Sequence, residues 1–259
     1  MHILVTNDDG VHAPGLAALV DAMKPLGQVT ILAPDHNWSG GGHVKTLHRP
    51  LRVLETTLAD GTPALASDGA PSDCVALALL GRVAEKIDLV VSGINTYGNL
   101  GHDVTYSGTV TAAMEAVIAG VPGFAFSLAA DDTTRERDYA TAATYAHRIV
   151  AAAIAQGLTR DLLLNVNVPA LPAADIRGIR VTRLGLRVYR DRLDARRDPR
   201  GVPYYWIGGD YPTGVPDPGT DCEALRDGYV SVTPLQLDLT CHSTAERLAA
   251  WEWGIGDRG

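Results

Sequence analysis

Short apolar runs alternate with amphipathic stretches along the first two thirds of the chain. HILVT (2–6), QVTILAP (28–34), IDLVVSGI (87–94), GFAFSLA (123–129) and LLLNVNVP (162–169) are nearly continuous apolar runs of strand length. Strands of a parallel sheet, covered on both faces, read this way. LRVLETT (51–57) and TPALAS (62–67) predict a further strand pair. Between the runs, residues 14–25, 71–86, 107–120 and 137–157 carry apolar positions at helical spacing. Pro14 and Pro71 suit first helical turns, and Gly120 and Gly157 suit helix ends. The alternation predicts an α/β fold, a doubly wound three-layer α/β/α sandwich around a mostly parallel sheet.

The pattern changes after about residue 180. LRVYRDRLDARRDPRGVPYYWIGG (186–209) alternates around a charged turn and predicts a long C-terminal β-hairpin arm. GYVSVTPLQLDL (228–239) predicts one more strand, and STAERLAAWEW (243–253) a terminal amphipathic helix. The expected organisation is therefore a catalytic core over 1–180 and an appendage over 181–259. A lone two-stranded ribbon is marginal in water, so packing of the arm on a second subunit, and hence a homo-oligomer, is expected.

Composition narrows the class. The net charge of -8 over 259 residues argues against binding a nucleic acid polymer. Three cysteines, Cys74, Cys222 and Cys241, form no CxxC or Cys/His cluster, which suits free thiols in a reducing compartment. No apolar run approaches about 18 residues, so no membrane span is expected. The opening MHILVTNDDG has no basic segment followed by an apolar one of signal length. A cytoplasmic protein is the expectation.

The chemistry concentrates at strand ends. Asp8 and Asp9 follow the first strand, where ligands of parallel α/β sheets bind. Two adjacent carboxylates there are unfavourable unless a cation neutralises them, and hard Mg²⁺ or Mn²⁺ takes oxygen ligands of this kind. Ser39, followed by Gly40, Gly41 and Gly42, comes after the second strand; Asn95 and Asn99 follow the IDLVVSGI strand; Ser107, Gly108 and Thr109 open a helix. A helix start of that kind is a phosphate cradle. The set is the inventory of a metal-assisted phosphoester hydrolase. Spacing excludes other sites. A Walker loop would need glycines where Ser39 and Val44 stand, and no GxGxxG, HExxH or GxSxG occurs in the required context.

Taken together, Thr6–Gly10, Ala13–Gly15, Pro34–Gly40, Ser92–Asn95, Asn99–Thr109, Leu164–Pro169 and Gly219–Leu235 span nearly the whole chain in order. This set resembles the stationary-phase survival protein E (SurE) nucleotidase family. The resemblance implies a Rossmann-like core with C-terminal elements exchanged between subunits of a homodimer or homotetramer. It implies a phosphatase acting on nucleoside 5′- or 3′-monophosphates, with short polyphosphate a further substrate. It implies one divalent metal ion per subunit on Asp8, Asp9, Ser39 and Asn95, with phosphate contacts from Asn99, Ser107, Gly108 and Thr109; the glycine-rich loop adds Gly40, whose backbone can approach the same phosphate. Asp8 or Asp9 would handle an attacking water; direct attack by Asp8 is the second route.

The chain departs from the family at Gly41, Gly42, His43 and Lys45, where small or hydroxyl residues are common. It departs again at Tyr97, where glycine is frequent. His43 and Lys45 either add positive charge near phosphate or face solvent. His12 and His102 flank the same loops, and His12 could serve as a general acid. Competing readings are a non-catalytic nucleotide sensor and a metal-dependent nucleotide-sugar transferase. The latter usually carries DxD rather than DDG.

Overall fold

The computed structural model describes residues 1–130, 138–251 and 253. The first strand, β1 (His2–Thr6), is buried throughout, and its side chains alternate between two layers. Ile3 and Val5 pack with Leu16, Leu19 and Ile149 on one face, and Leu4 packs with Val75, Val90 and Ala112 on the other. A strand sandwiched in this way has no polar face to offer, which is why HILVT is continuous.

Helix α1 (Pro14–Met23) follows, then β2 (Gln28–Pro34), β3 (Val53–Thr57) and β4 (Pro63–Ser67). Helix α2 (Pro71–Leu77) precedes β5 (Leu89–Tyr97), α3 (Gly108–Ile118) and β6 (Gly123–Ala130). Helix α4 (Tyr139–Gln156) leads to β7 (Leu163–Pro169) and the short β8 (Ile179–Val181). The chain ends with β9 (Leu186–Arg197), β10 (Pro203–Val215), α5 (Asp221–Arg226), β11 (Val230–Leu235) and α6 (His242–Ala249).

Among the described residues the main sheet has nine strands in the order β3-β4-β2-β1-β5-β6-β7-β11-β8. From β4 to β7 all neighbours are parallel, while β3 and β11 run antiparallel to β4 and β7. The mostly parallel α/β sandwich expected from the pattern is therefore present. The chain winds outward from β1 through β2 in one direction, then restarts at β5 and winds the other way. The β1/β5 seam is thus a topological switch point, where the carboxyl ends of adjacent strands open a crevice.

Several boundaries differ from the sequence pattern. The helix expected over 71–86 stops early: Leu77 gives way to a wider turn over Ala78–Arg82, and Gly81 at φ 114 breaks it. The expected boundary at residue 180 falls inside β8, which pairs with β11 on the main sheet. Within 181–259 the segment that leaves the core sheet is the β9–β10 hairpin, a separate two-stranded ribbon with an irregularity between Asp210 and Thr213. The terminal helix ends at Ala249, short of the expected 253. The start of the 137–157 helix at residue 137, and positions 252 and 254–259 of the expected appendage, lie outside the described residues.

Candidate active site at the β1/β5 seam

The DDG loop is built locally. The Asn7 side chain closes the turn, donating to the Gly10 carbonyl at 2.9 Å and accepting the Gly10 N–H at 3.2 Å. Gly10 takes φ 104, a conformation that disfavours a side chain. Gly15 opens α1 against β5; a Cβ there would stand 2.1 Å from the Ile94 carbonyl oxygen. The APG motif thus seats the helix directly under the strand that carries Asn95.

Asp8 is 3 % exposed. The Thr109 hydroxyl donates to its carboxylate, and the backbone N–H groups of Gly108 and Thr109, close by, favour its charged form. The start of α3 is therefore set against the Asp8 carboxyl. Gly108 makes the approach possible, since a Cβ there would lie 2.7 Å from the Asp8 Cβ. Burial pushes the Asp8 carboxyl above its ordinary range, and the Thr109 and backbone hydrogen bonds pull partly back.

The second loop is tied to this pair. The Trp38 N–H donates to the Asp8 carbonyl at 2.8 Å, the Asn37 amide to Asp9 at 3.2 Å, and the Ser39 N–H to the Asn37 side chain at 2.7 Å. Ser39 and Gly40 are exposed, and Gly40, at φ 77, has no atom within 4 Å of a would-be Cβ. Helix α3 anchors the rest of this loop. The Thr111 hydroxyl donates to the Gly42 carbonyl at 3.0 Å, and buried Glu115 pairs with both His43 and Lys45 at 2.9 Å. His43 and Lys45 thus neither point at a phosphate nor simply face solvent. They fasten the loop.

The third loop is fixed from three sides. The Asn99 N–H donates to Asn167 at 2.8 Å, and the Asn99 carbonyl accepts from Asn165 at 2.7 Å and Asn167 at 3.1 Å. The Asn99 amide nitrogen donates to Ser127 at 2.8 Å. Fully buried Asp221 accepts the Gly101 N–H at 2.9 Å and the Gly185 N–H at 2.8 Å. The LNVNVP and GTD motifs are therefore clamps for the loop between Asn95 and Ser107. At its start the Asn95 amide nitrogen donates to the Tyr97 carbonyl at 2.8 Å, which turns the amide oxygen the other way. At its end Ser107 caps α3, accepting the Val110 N–H at 3.1 Å, so its own hydroxyl proton is available to donate.

One cavity of about 510 Å³ is lined by Asp8, Asp9, Ser39, Gly40, Asn95, Asn99 and Ser107. Of the nine site residues expected from sequence, Gly108 and Thr109 stand behind Asp8 rather than on this cavity. Part of the lining was not foreseen: Arg187, Tyr189, Tyr211 and Pro212 come from the foot of the arm. Arg187, 8 % exposed, pairs with Asp103 at 2.7 Å, and Tyr189 donates to the same carboxylate. The nearest sequence signal was the positive LRVYR stretch, which reads equally well as an exposed strand. His12 is exposed and lines a neighbouring cavity with Asp9, Asp35, Thr96 and Tyr139; His102 is exposed on the third loop.

The donor set fits a hard divalent cation. Two carboxylates, an amide oxygen and a hydroxyl are all oxygen ligands, and the cavity's own guanidinium is engaged with Asp103 rather than with the diad. A buried carboxylate with a raised pKa gains from such an ion. Among the described residues no group of three or more His, Cys, Asp or Glu side chains could hold a metal, so the neutral oxygens would complete the shell.

The family model described as survival protein SurE matches residues 3–191. A protein named 5′-nucleotidase SurE from Herpetosiphon aurantiacus is 54% identical over 253 residues, covering 98% of this chain and 99% of its own. One of the same name from Chloroflexus aggregans is 53% identical, covering 98% and 100%. The crystal structure of the Sure protein from Aquifex aeolicus superposes with a TM-score of 0.79 at 40% identity, covering 96% of this chain and 98% of that one.

Proposed function

The chain belongs to the survival protein SurE family, and on that premise we propose that it is a divalent-metal-dependent nucleotidase. It hydrolyses nucleoside monophosphates to nucleoside and phosphate. Relatives sharing about half its residues along their whole length carry the name 5′-nucleotidase SurE. The observation that carries the reading is the pairing of buried Asp8 with Asp9 at the switch-point cavity, beside Asn95, Ser39 and Ser107.

Asp8, Asp9, Ser39 and Asn95 would hold one Mg²⁺ or Mn²⁺ ion per subunit. Such an ion supplies Lewis-acid polarisation of the phosphoryl group and acidifies a water. Ser107 donates its hydroxyl proton to a phosphate oxygen, and Gly40 brings backbone close to the same group. Asn99, its amide nitrogen engaged by Ser127, presents an acceptor to a substrate hydroxyl. Gly108 and Thr109 act at one remove, holding the Asp8 carboxylate in place. Asp9, less buried and hydrogen bonded to Asn37, is the carboxylate that orients the attacking water. Direct attack by Asp8 is disfavoured because the Thr109 hydroxyl already donates to its carboxylate.

The 3′-monophosphates and short polyphosphate extend the proposed substrate range. The assembly is a homodimer or homotetramer formed through the arm, whose Leu193, Trp206 and Ile207 are 67%, 63% and 82% exposed. No helix among the described residues is long and apolar enough to cross a membrane, which agrees with a cytoplasmic location.

The test is a phosphate-release panel of 5′- and 3′-mononucleotides and polyphosphate, with EDTA and with Mg²⁺ or Mn²⁺, on wild type and Asp8→Asn. Metal-dependent release from mononucleotides, lost in the variant, is expected. Nucleotide binding without turnover would mark a sensor, and turnover only with a sugar acceptor a transferase. Either outcome sinks the nucleotidase reading.

A further inference from the structure

The cavity is lined by two unlike sets of groups: the oxygen-bearing Asp8, Asp9, Ser39 and Ser107, and aromatic rings from the third loop and the foot of the arm. The rings of Tyr97 and Tyr211 lie together, their centroids 5.8 Å apart and their planes inclined by 42°. The guanidinium carbon of Arg187 stands 5.8 Å from the Tyr211 ring centre, and that side chain is held by Asp103. The Tyr211 hydroxyl donates to the Ala130 carbonyl at 3.4 Å, and Tyr189 donates to Asp103. The rings are thus held through their hydroxyl edges while Tyr189 and Tyr211 remain 38% and 37% exposed. Both rings line the cavity, so part of each is available to a bound ligand.

We infer that this aromatic wall is the nucleoside subsite, with Tyr211 and Tyr97 giving the substrate's base a stacking surface. The inference rests on the nucleotidase reading above and adds where the rest of the nucleotide lies. A phosphate held beside Asp8 and Asp9 leaves the nucleoside to be accommodated in the same cavity, which these rings also line. Every base has a π-face, so stacking binds bases with little selectivity and rewards larger rings. Purine nucleotides therefore bind more tightly than pyrimidine nucleotides here, and both more tightly than a sugar phosphate without a base.

A second direction is available to the nucleoside, the neighbouring cavity of about 560 Å³ between Asp9, His12 and Tyr139. It is less suited. Its rings, Tyr139 and His12, have no guanidinium among the lining residues to back them. Guanidinium support for a ring occurs on the Tyr211 side.

The experiment measures kcat and KM for AMP and for ribose 5-phosphate with Mn²⁺ on wild type, Tyr211→Leu, Tyr211→Phe and Tyr139→Leu. Base stacking of ordinary strength predicts that Tyr211→Leu raises the KM for AMP about ten- to one-hundred-fold. Its kcat, and the KM for ribose 5-phosphate, move less than two-fold. Tyr211→Phe keeps the ring and keeps the AMP KM near wild type. Equal losses on both substrates make Tyr211 merely structural and overturn the inference, as does an unchanged AMP KM. So does an AMP-selective loss in Tyr139→Leu, which would move the nucleoside to the other cavity. If wild type releases phosphate from ribose 5-phosphate but not from AMP, the subsite and the nucleotide substrate fail while phosphatase activity stands. If it releases phosphate from neither, the nucleotidase reading itself has failed and the subsite with it.

Discussion

Replacing Asp8 by asparagine separates what this residue costs the fold from what it does for the site. The side chain keeps its shape and loses its charge. In the metal-free protein, burial holds the Asp8 carboxyl above its ordinary value of 3.8, with Thr109 and the α3 backbone offsetting part of the effect. The folded state therefore binds this proton more tightly than the unfolded state. The stability Asp8 contributes is fully present below its unfolded pKa. It is lost as pH rises through the raised folded pKa, and is constant above that. Within the window the slope is at most about 1.4 kcal/mol per pH unit. For a chain of this size that corresponds to roughly 3–5 °C of Tm per pH unit. Asp68, Asp88 and Asp227 have lowered values and slope the other way, so the difference between wild type and variant isolates Asp8. The assay is thermal unfolding in EDTA from pH 4 to 7.5, repeated with millimolar Mn²⁺. Without metal, the wild-type Tm falls relative to the variant as pH rises. With Mn²⁺ at about one hundred times its Kd, wild type regains about 2.7 kcal/mol and the variant much less. A difference that is flat with pH, or equal stabilisation of both proteins by Mn²⁺, would refute this account of Asp8.

Other substitutions test the supports around the site. Gly108→Ala places a methyl group 2.7 Å from the Asp8 Cβ; displacement of that carboxylate is expected to lower kcat about one-hundred-fold, while circular dichroism stays native. Glu115→Gln weakens the anchor of the Ser39 loop to His43 and Lys45. It is expected to cost about 1–3 kcal/mol in urea unfolding and to raise the Mn²⁺ concentration needed for half-maximal activity. Gly15→Ala drives a Cβ to 2.1 Å from the Ile94 carbonyl oxygen and is expected to destabilise by about 3 kcal/mol or more, read as a lower urea midpoint or insoluble protein. Gly61→Ala, where no atom stands within 4 Å of the new Cβ but φ is 85, serves as the backbone-strain control and should cost about 1 kcal/mol.

Much of the molecule is legible in local pattern because local physics decides it. A strand buried on both faces must be apolar along its whole length, so HILVT and the core of IDLVVSGI announce themselves. Helix starts are visible at Pro14 and Pro71, and the carboxylates of Asp8 and Asp9 are conspicuous because they have no structural reason to be adjacent. Parallel connectivity then brings the ends of β1, β2 and β5 to one edge, which is enough to bring Asp8, Asp9, Ser39 and Asn95 together. The sequence by itself thus determined the fold class and the oxygen-bearing residues of the cavity.

Tertiary structure decided the rest. Thr109 reads as one more group at a helix start, yet its hydroxyl reaches across 101 positions to the Asp8 carboxylate. Asn167 clamps Asn99 over 68 positions, and Asp221 holds Gly101 over 120. Arg187 and Tyr211 have no local signature of a site; they belong to the cavity because β11 returns to β7 and carries the foot of the arm alongside it. Periodicity and capping act over a few residues, so they specify elements and their ends. Which distant side chains meet depends on how the layers pack, and that is where this protein's aromatic wall and its clamps were set.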